Sequence, residues 1–166
     1  MDQFFLWLES TWISTWVRES VSVFGFPLIL AYHTIGMGFL AGLSSAMDLR
    51  ILGVARHVPL LELKRFLPVM WVGFWLNAAS GVLLLLAYPT KALTNPVFYV
   101  KLVCIAFAVV ILRAIAKSIF QDPKLDFGEI PARGKWLARA SLFCWAGAIL
   151  AGRLLAYTYK RLTAYQ

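Results

Sequence analysis

The chain has 166 residues, 16 Lys or Arg against 8 Asp or Glu, a net charge of +8, and is 61% hydrophobic. That length suits one domain, but a water-soluble domain of this size cannot hide so much apolar surface, so the composition excludes a soluble globule and points to lipid as the solvent. The positive charge is spread between apolar blocks, which argues against nucleic acid and for an orientation signal, with anionic lipid headgroups beside the basic loops.

Residues 1–20 read "MDQFFLWLESTWISTWVRES". Phe5, Leu8, Trp12 and Trp16 recur at helical spacing on one side, and Glu9, Ser10, Ser14 and Arg18 occupy much of the rest. This is the pattern of an amphipathic helix lying at the headgroup level, and its tryptophans suit that depth. A docking surface for a partner subunit is the alternative. The stretch is not read as a signal peptide, because Asp2, Glu9 and Glu19 replace the basic leader.

Four apolar blocks follow, at about residues 21–46, 68–88, 98–116 and 136–157. Each can cross a bilayer at about 20 residues per helix. Lipid offers no partner to bare backbone, so the blocks are expected to be helices. The expected architecture is all-α: an interfacial helix over 1–20, a four-helix transmembrane bundle over 21–158 and a short tail over 159–166. The connections at 54–67, 89–97 and 117–135 are too short to fold separately.

The first and third connections, with the adjoining helix ends, carry Arg50, Arg56, Lys64, Arg65, Arg113, Lys117, Lys124, Arg133, Lys135 and Arg139. The positive-inside tendency places them on the cytoplasmic side of a bacterial inner membrane, with both termini periplasmic. Lys160 and Arg161 oppose that orientation.

Few residues in the blocks carry chemistry. His33 is expected near the middle of the first block and Asn77 near the middle of the second. Lys101 and Arg153 are placed six or seven residues outward of their block centres, roughly 9–10 Å at 1.5 Å per residue. An ionisable side chain at such depth should face inward and have a partner. For His33 the plain reading is a hydrogen bond to Asn77, and the sharper reading is a metal or heme ligand; a proton relay is the third, without a second mid-membrane acid to hand protons on. Gly36, one turn from His33, lets a second helix or a flat macrocycle approach. Met37 lies on the same face as His33 and is read as packing; with Cys144 it offers a soft copper site instead. Lys101 and Arg153 either snorkel to the headgroups or turn inward around a shared anion. The two cysteines, Cys104 and Cys144, imply no disulfide framework. His57 is read as a loop histidine, and no CxxC, HExxH, phosphate loop or nucleophilic triad is present.

The segments "YHTIGMGFLAGLSSAMDLRILG", "NPVFYVKL" and "AGRLLAY" resemble a bacterial family of small four-helix membrane proteins without an assigned function. The likeness covers about residues 21–158. A more distant similarity links the His in the first block and the Lys101-Leu102 pair to the heme-containing four-helix protoporphyrinogen oxidase family, and the third block to the membrane domain of the copper-resistance D family. The heme-family resemblance implies that His33 is an axial ligand and that Lys101 matches its third-helix lysine. The third block here ends "VVILRAIAK", without a histidine, so no second axial ligand is evident.

Three functional readings follow. The first is a b-type heme protein handling electrons or porphyrin, with His33, Gly36, Asn77, Lys101 and Arg153 at the cofactor. The second is a non-catalytic subunit or scaffold that packs against itself or other membrane subunits. The third is a copper-handling protein.

Overall fold

The computed structural model describes residues 7–20, 22–119 and 128–162, with side chains omitted at 156 and beyond 158. Phe5 of the amphipathic stretch, Lys124 of the third connection, and the Lys160 and Arg161 side chains lie outside the described residues.

The protein is all-α, with no strand among the described residues. A short helix α1 (Trp12–Glu19) precedes α2 (Phe26–Leu52), α3 (Leu67–Ala87), α4 (Pro96–Ser118) and α5 (Ala132–Leu162). Helical turns at Leu60–Lys64 and Pro89–Leu93 fill the connections on either side of α3. Among the described residues four helices are long and apolar enough to cross a membrane, the second counted from Leu60 and the fourth to Leu155. Aromatic and aliphatic side chains such as Val72, Trp75, Phe107, Val110 and Phe143 are exposed around the bundle. In water that surface would be ruinous; in lipid it is the expected outer coat.

Helix α2 begins and ends later than its apolar block suggests. Its start is set by the 22–25 turn, with Pro27 in the first turn, where a missing N–H costs nothing. Its end is the "DLRILG" segment. Gly53 takes φ +104°, its N–H donates to Arg50 O at 3.1 Å, and Val54 N–H donates to Leu49 O at 3.0 Å. That pair of bonds is a Schellman cap, and the left-handed residue suits glycine. The polar run Ser44, Asp48 and Arg50 therefore stays inside the helix and is buried.

A π-turn at Gly38–Gly42 interrupts α2. An extra residue in the turn re-aims the face that follows it. Before the turn α2 packs on α3; after it, α2 packs on α5. Gly36 and Gly73 carry the first contact. A Cβ on Gly36 would lie 2.8 Å from both Asn77 N and Gly73 O, so only glycine allows this backbone approach. Gly38 and Gly42, four residues apart, meet nothing within 4 Å of a Cβ, so their small-xxx-small spacing makes no such approach among the described residues.

Helix α4 packs along α5, and Asn95 caps its start by accepting from Val97 N–H at 3.0 Å. The main core gathers at the loop end of the bundle, beside residues 53–66 and 128–131. Leu40, Met47, Ile51, Met70, Leu112 and Trp145 are among its buried members. At the opposite, terminal end, where α1 and the last turns of α5 lie, a cleft opens between the α2–α3 and α4–α5 pairs. The main core thus lies at the loop end and the cleft at the terminal end.

Helix α1 docks on α3. Val17 is fully buried against Ile29 and Ala87, with Phe26, Leu83 and Leu84 around them. Thr90 donates to Glu9 Oε1 at 2.8 Å, and Arg18 donates to Glu9 O at 2.8 Å. Trp12 remains 79% exposed, with Trp7 and Trp16 exposed beside it. The helix therefore uses one stripe on its own bundle and leaves the tryptophans for the interface.

Candidate functional site

The cleft at the terminal end has a volume of about 370 Å³, within the size range of small-molecule sites. Its walls are mainly apolar: Phe26 from α2, Leu84 and Leu85 from α3, Phe98 from α4 and Leu155 from α5. Three basic groups interrupt that lining, namely His33, Lys101 and Lys91.

His33 is half-buried and engaged at both ring nitrogens. Its Nδ1 lies 3.1 Å from the Asn77 backbone O and 3.1 Å from Ser80 Oγ. A carbonyl only accepts, so the Asn77 contact is a hydrogen bond in the tautomer that carries its proton on Nδ1. The Ser80 hydroxyl lies 2.7 Å from Leu76 O, to which it donates, leaving its lone pairs toward the ring. Asn77 returns the contact by donating from Nδ2 to His33 O at 2.7 Å. These reciprocal contacts fix the ring's rotation and match the Nδ1–H tautomer. In the neutral ring Nε2 then holds a lone pair, and it lies 3.5 Å from Lys101 Nζ, the donor in that contact.

Small residues make room for this pair. A Cβ on Gly81 would sit 3.2 Å from His33 Cε1, and one on Gly152 would sit 3.8 Å from Lys101 Cε. The ring and the ammonium therefore lie against two bare backbone stretches, one on α3 and one on α5.

The expected site residues separate into two groups. His33, Asn77 and Lys101 come together. Gly36 is consumed by the α2–α3 crossing, and Arg153 is exposed on α5; the residue of "AGRLLAY" that meets Lys101 is Gly152. The expectation of an inward Arg153 paired with Lys101 is therefore not met. The reason is helical phase: Ala151 and Gly152 take the packed face, and the next residue turns outward.

Depth is corrected too. The midpoint of α2 is Phe39, and His33 lies only seven residues past the helix start, about 10 Å along the axis. Lys101 is therefore level with His33 rather than outward of it.

A second polar group, missed from the sequence, joins α2 to α5. Asp48 is 1% exposed and Ser141 fully buried. Their side chains face one another, yet Asp48 Oδ2 and Ser141 Oγ form no well-made hydrogen bond. One turn away Trp145 Nε1 donates to Ser44 Oγ at 2.9 Å. The signal available was the i, i+4 spacing of Ser44 with Asp48 and of Ser141 with Trp145. Arg113, at the same end, stacks over the Trp71 ring at 4.9 Å.

The residues fit one axial imidazole of a b-type heme. The Nδ1–H···O=C bond is the outer-sphere contact that orients metal-bound histidines, the walls are apolar, and two lysines suit carboxylates. Lys101 Nζ is also the group nearest the free Nε2, so a metal there requires that side chain to turn along the cleft. For copper there is less. Met37 and Cys144 pack against the main core, and no three His, Cys, Asp or Glu side chains converge among the described residues.

No family model, curated protein or solved structure matches the chain.

Proposed function

We propose that this membrane protein binds a lipophilic, carboxylate-bearing cofactor in the terminal-end cleft, a b-type heme or a porphyrin, with His33 as the axial ligand. The observation that carries the reading is the anchoring of the His33 ring: Nδ1 lies 3.1 Å from the Asn77 carbonyl and 3.1 Å from Ser80 Oγ, which leaves Nε2 toward Lys101 Nζ, at 3.5 Å, in the lining of the cleft. Bound heme supplies a one-electron couple. The chain's own residues do the rest: Asn77 and Ser80 hold the ring, the apolar walls exclude water, and Lys101 and Lys91 offer cations to carboxylates. The resemblance to the heme-containing four-helix family points the same way.

The test is the absorption spectrum of protein purified from cells supplied with heme. A Soret band is expected, and it should disappear in His33→Ala while the protein still inserts. Lys101→Met should weaken heme retention several-fold, whereas Arg153→Leu should leave it unchanged. A colourless wild-type protein ends the heme reading and favours a scaffold role.

A further inference from the structure

The contact between α2 and α5 joins the two helix pairs at the loop end, and it buries an acid. Asp48 is 1% exposed, and Ser141, facing it from α5, is fully buried. Asp48 Oδ2 and Ser141 Oγ are both without a hydrogen-bond partner. We propose that these two oxygens form a binding site for a small monovalent cation, with a proton and a sodium ion as the two sources of that chemistry.

The register that brings the two oxygens together is set one turn away. Ser44 lies four residues before Asp48, and Trp145 four residues after Ser141, so each pair shares a helix face. Trp145 Nε1 donates to Ser44 Oγ at 2.9 Å, which pins the two faces together. Around the oxygens those faces are apolar, with Met47 and Ile51 on α2 and Ala138 on α5. Met70 of α3 and Leu112 and Ile115 of α4 complete the core, and Cys144 is the titratable group packed against it. The charged groups at this end are directed elsewhere. Arg50 donates to Val58 O, Arg113 lies over the Trp71 ring, and Lys64, Lys117 and Arg139 are exposed. Among the described residues the ion pairs are Arg18–Glu9 and Arg65–Glu62, and neither involves Asp48.

A bare carboxylate packed between membrane-crossing helices is costly and calls for a partner. An orphaned buried oxygen beside it calls for one as well. A single small cation answers both. A proton turns Oδ2 into a donor aimed at Ser141 Oγ. A sodium ion takes the same two atoms as hard oxygen ligands. Asp48 lies four residues before the end of α2, about 6 Å along the axis, so the cation has a short path to the loop-end face. Once bound, it clamps α2 to α5 and holds the helix pairs together at the end opposite the cleft.

The experiment is thermal unfolding of the full chain in an uncharged detergent, across pH in sodium-free choline buffer and across sodium chloride at constant ionic strength. Asp48→Asn keeps the shape and removes the charge, and it is run beside the wild type so that other titrating groups cancel. The wild-type Tm should rise with one of the two cations, and the Asp48→Asn Tm should not follow it. Ser141→Ala keeps the acid and should need roughly tenfold more of that cation for the same rise, the loss expected for one partner of a charged group. If sodium raises the Tm where choline does not, and more sodium is needed as the pH falls, the site stands and its ligand is sodium. If sodium and choline act alike while acid raises the Tm in the wild type alone, the ligand is the proton. A wild-type Tm indifferent to both cations, a matching rise in Asp48→Asn, or an unchanged requirement in Ser141→Ala would overturn the proposal. Loss of the Soret band in His33→Ala bears only on the terminal-end cleft, so the two readings fail separately.

Discussion

At the residue scale, glycines discriminate between contact and open lipid. Gly36 sits where a Cβ would press on two backbone atoms at 2.8 Å, so Gly36→Ala must separate α2 from α3. Overpacking of this kind costs about 1–3 kcal/mol. Gly38→Ala adds a methyl where nothing lies within 4 Å and should cost no stability. Thermal unfolding of both variants in one detergent checks the contrast; equal melting temperatures would refute the crossing. The separation matters for function because Asn77, at the same crossing, holds the His33 ring. Gly36→Ala should therefore loosen heme binding as well.

Among the elements, α1 and the π-turn set how the bundle is assembled. Val17 is fully buried against Ile29 and Ala87, whereas Trp12 is 79% exposed. Val17→Ala should lower stability by about 1–3 kcal/mol, since two buried carbons are lost at about 0.8 kcal/mol each and a small cavity remains. Trp12→Ala should leave the melting temperature in detergent unchanged. A matching loss from both would mean that α1 is not docked on α3. The existence of α1 and of four membrane-length helices was legible in the sequence, because lipid leaves few alternatives for long apolar runs. The limits of α2 were not. Asp48 and Arg50 lie past the end of the apolar block, yet they are helical and buried, Asp48 toward α5 and Arg50 against the loop that follows. The π-turn was also illegible, since two glycines in an apolar helix mark close packing more often than an extra residue.

For the whole molecule, the main core lies at one end and the His33 cleft at the other. The loop end carries that core and the buried Asp48–Ser141 contact. The cleft end carries His33 and Lys101. The basic residues at the loop end lead us to propose that it faces the cytoplasm and that the cleft faces outward. A reporter fused after Gln166 should then be active only outside the cytoplasm; cytoplasmic activity would invert the proposal. The pairing of His33 with Asn77 could be read from the sequence because two polar groups in lipid must find one another. The partnership of His33 with Lys101 could not, because it depends on where α2 begins. Arg153 failed for a related reason: one position along a helix turns a side chain by about 100°.

The central claim is that Nε2 of His33 is a ligand nitrogen held ready by Asn77. Hemin titration of the purified, heme-free protein tests it most directly, with His33→Ala run in parallel. The wild type should develop a Soret band that saturates at one equivalent, and His33→Ala should give only the spectrum of free hemin. A saturating band of the same position and intensity in both proteins, or no band in either, would contradict it.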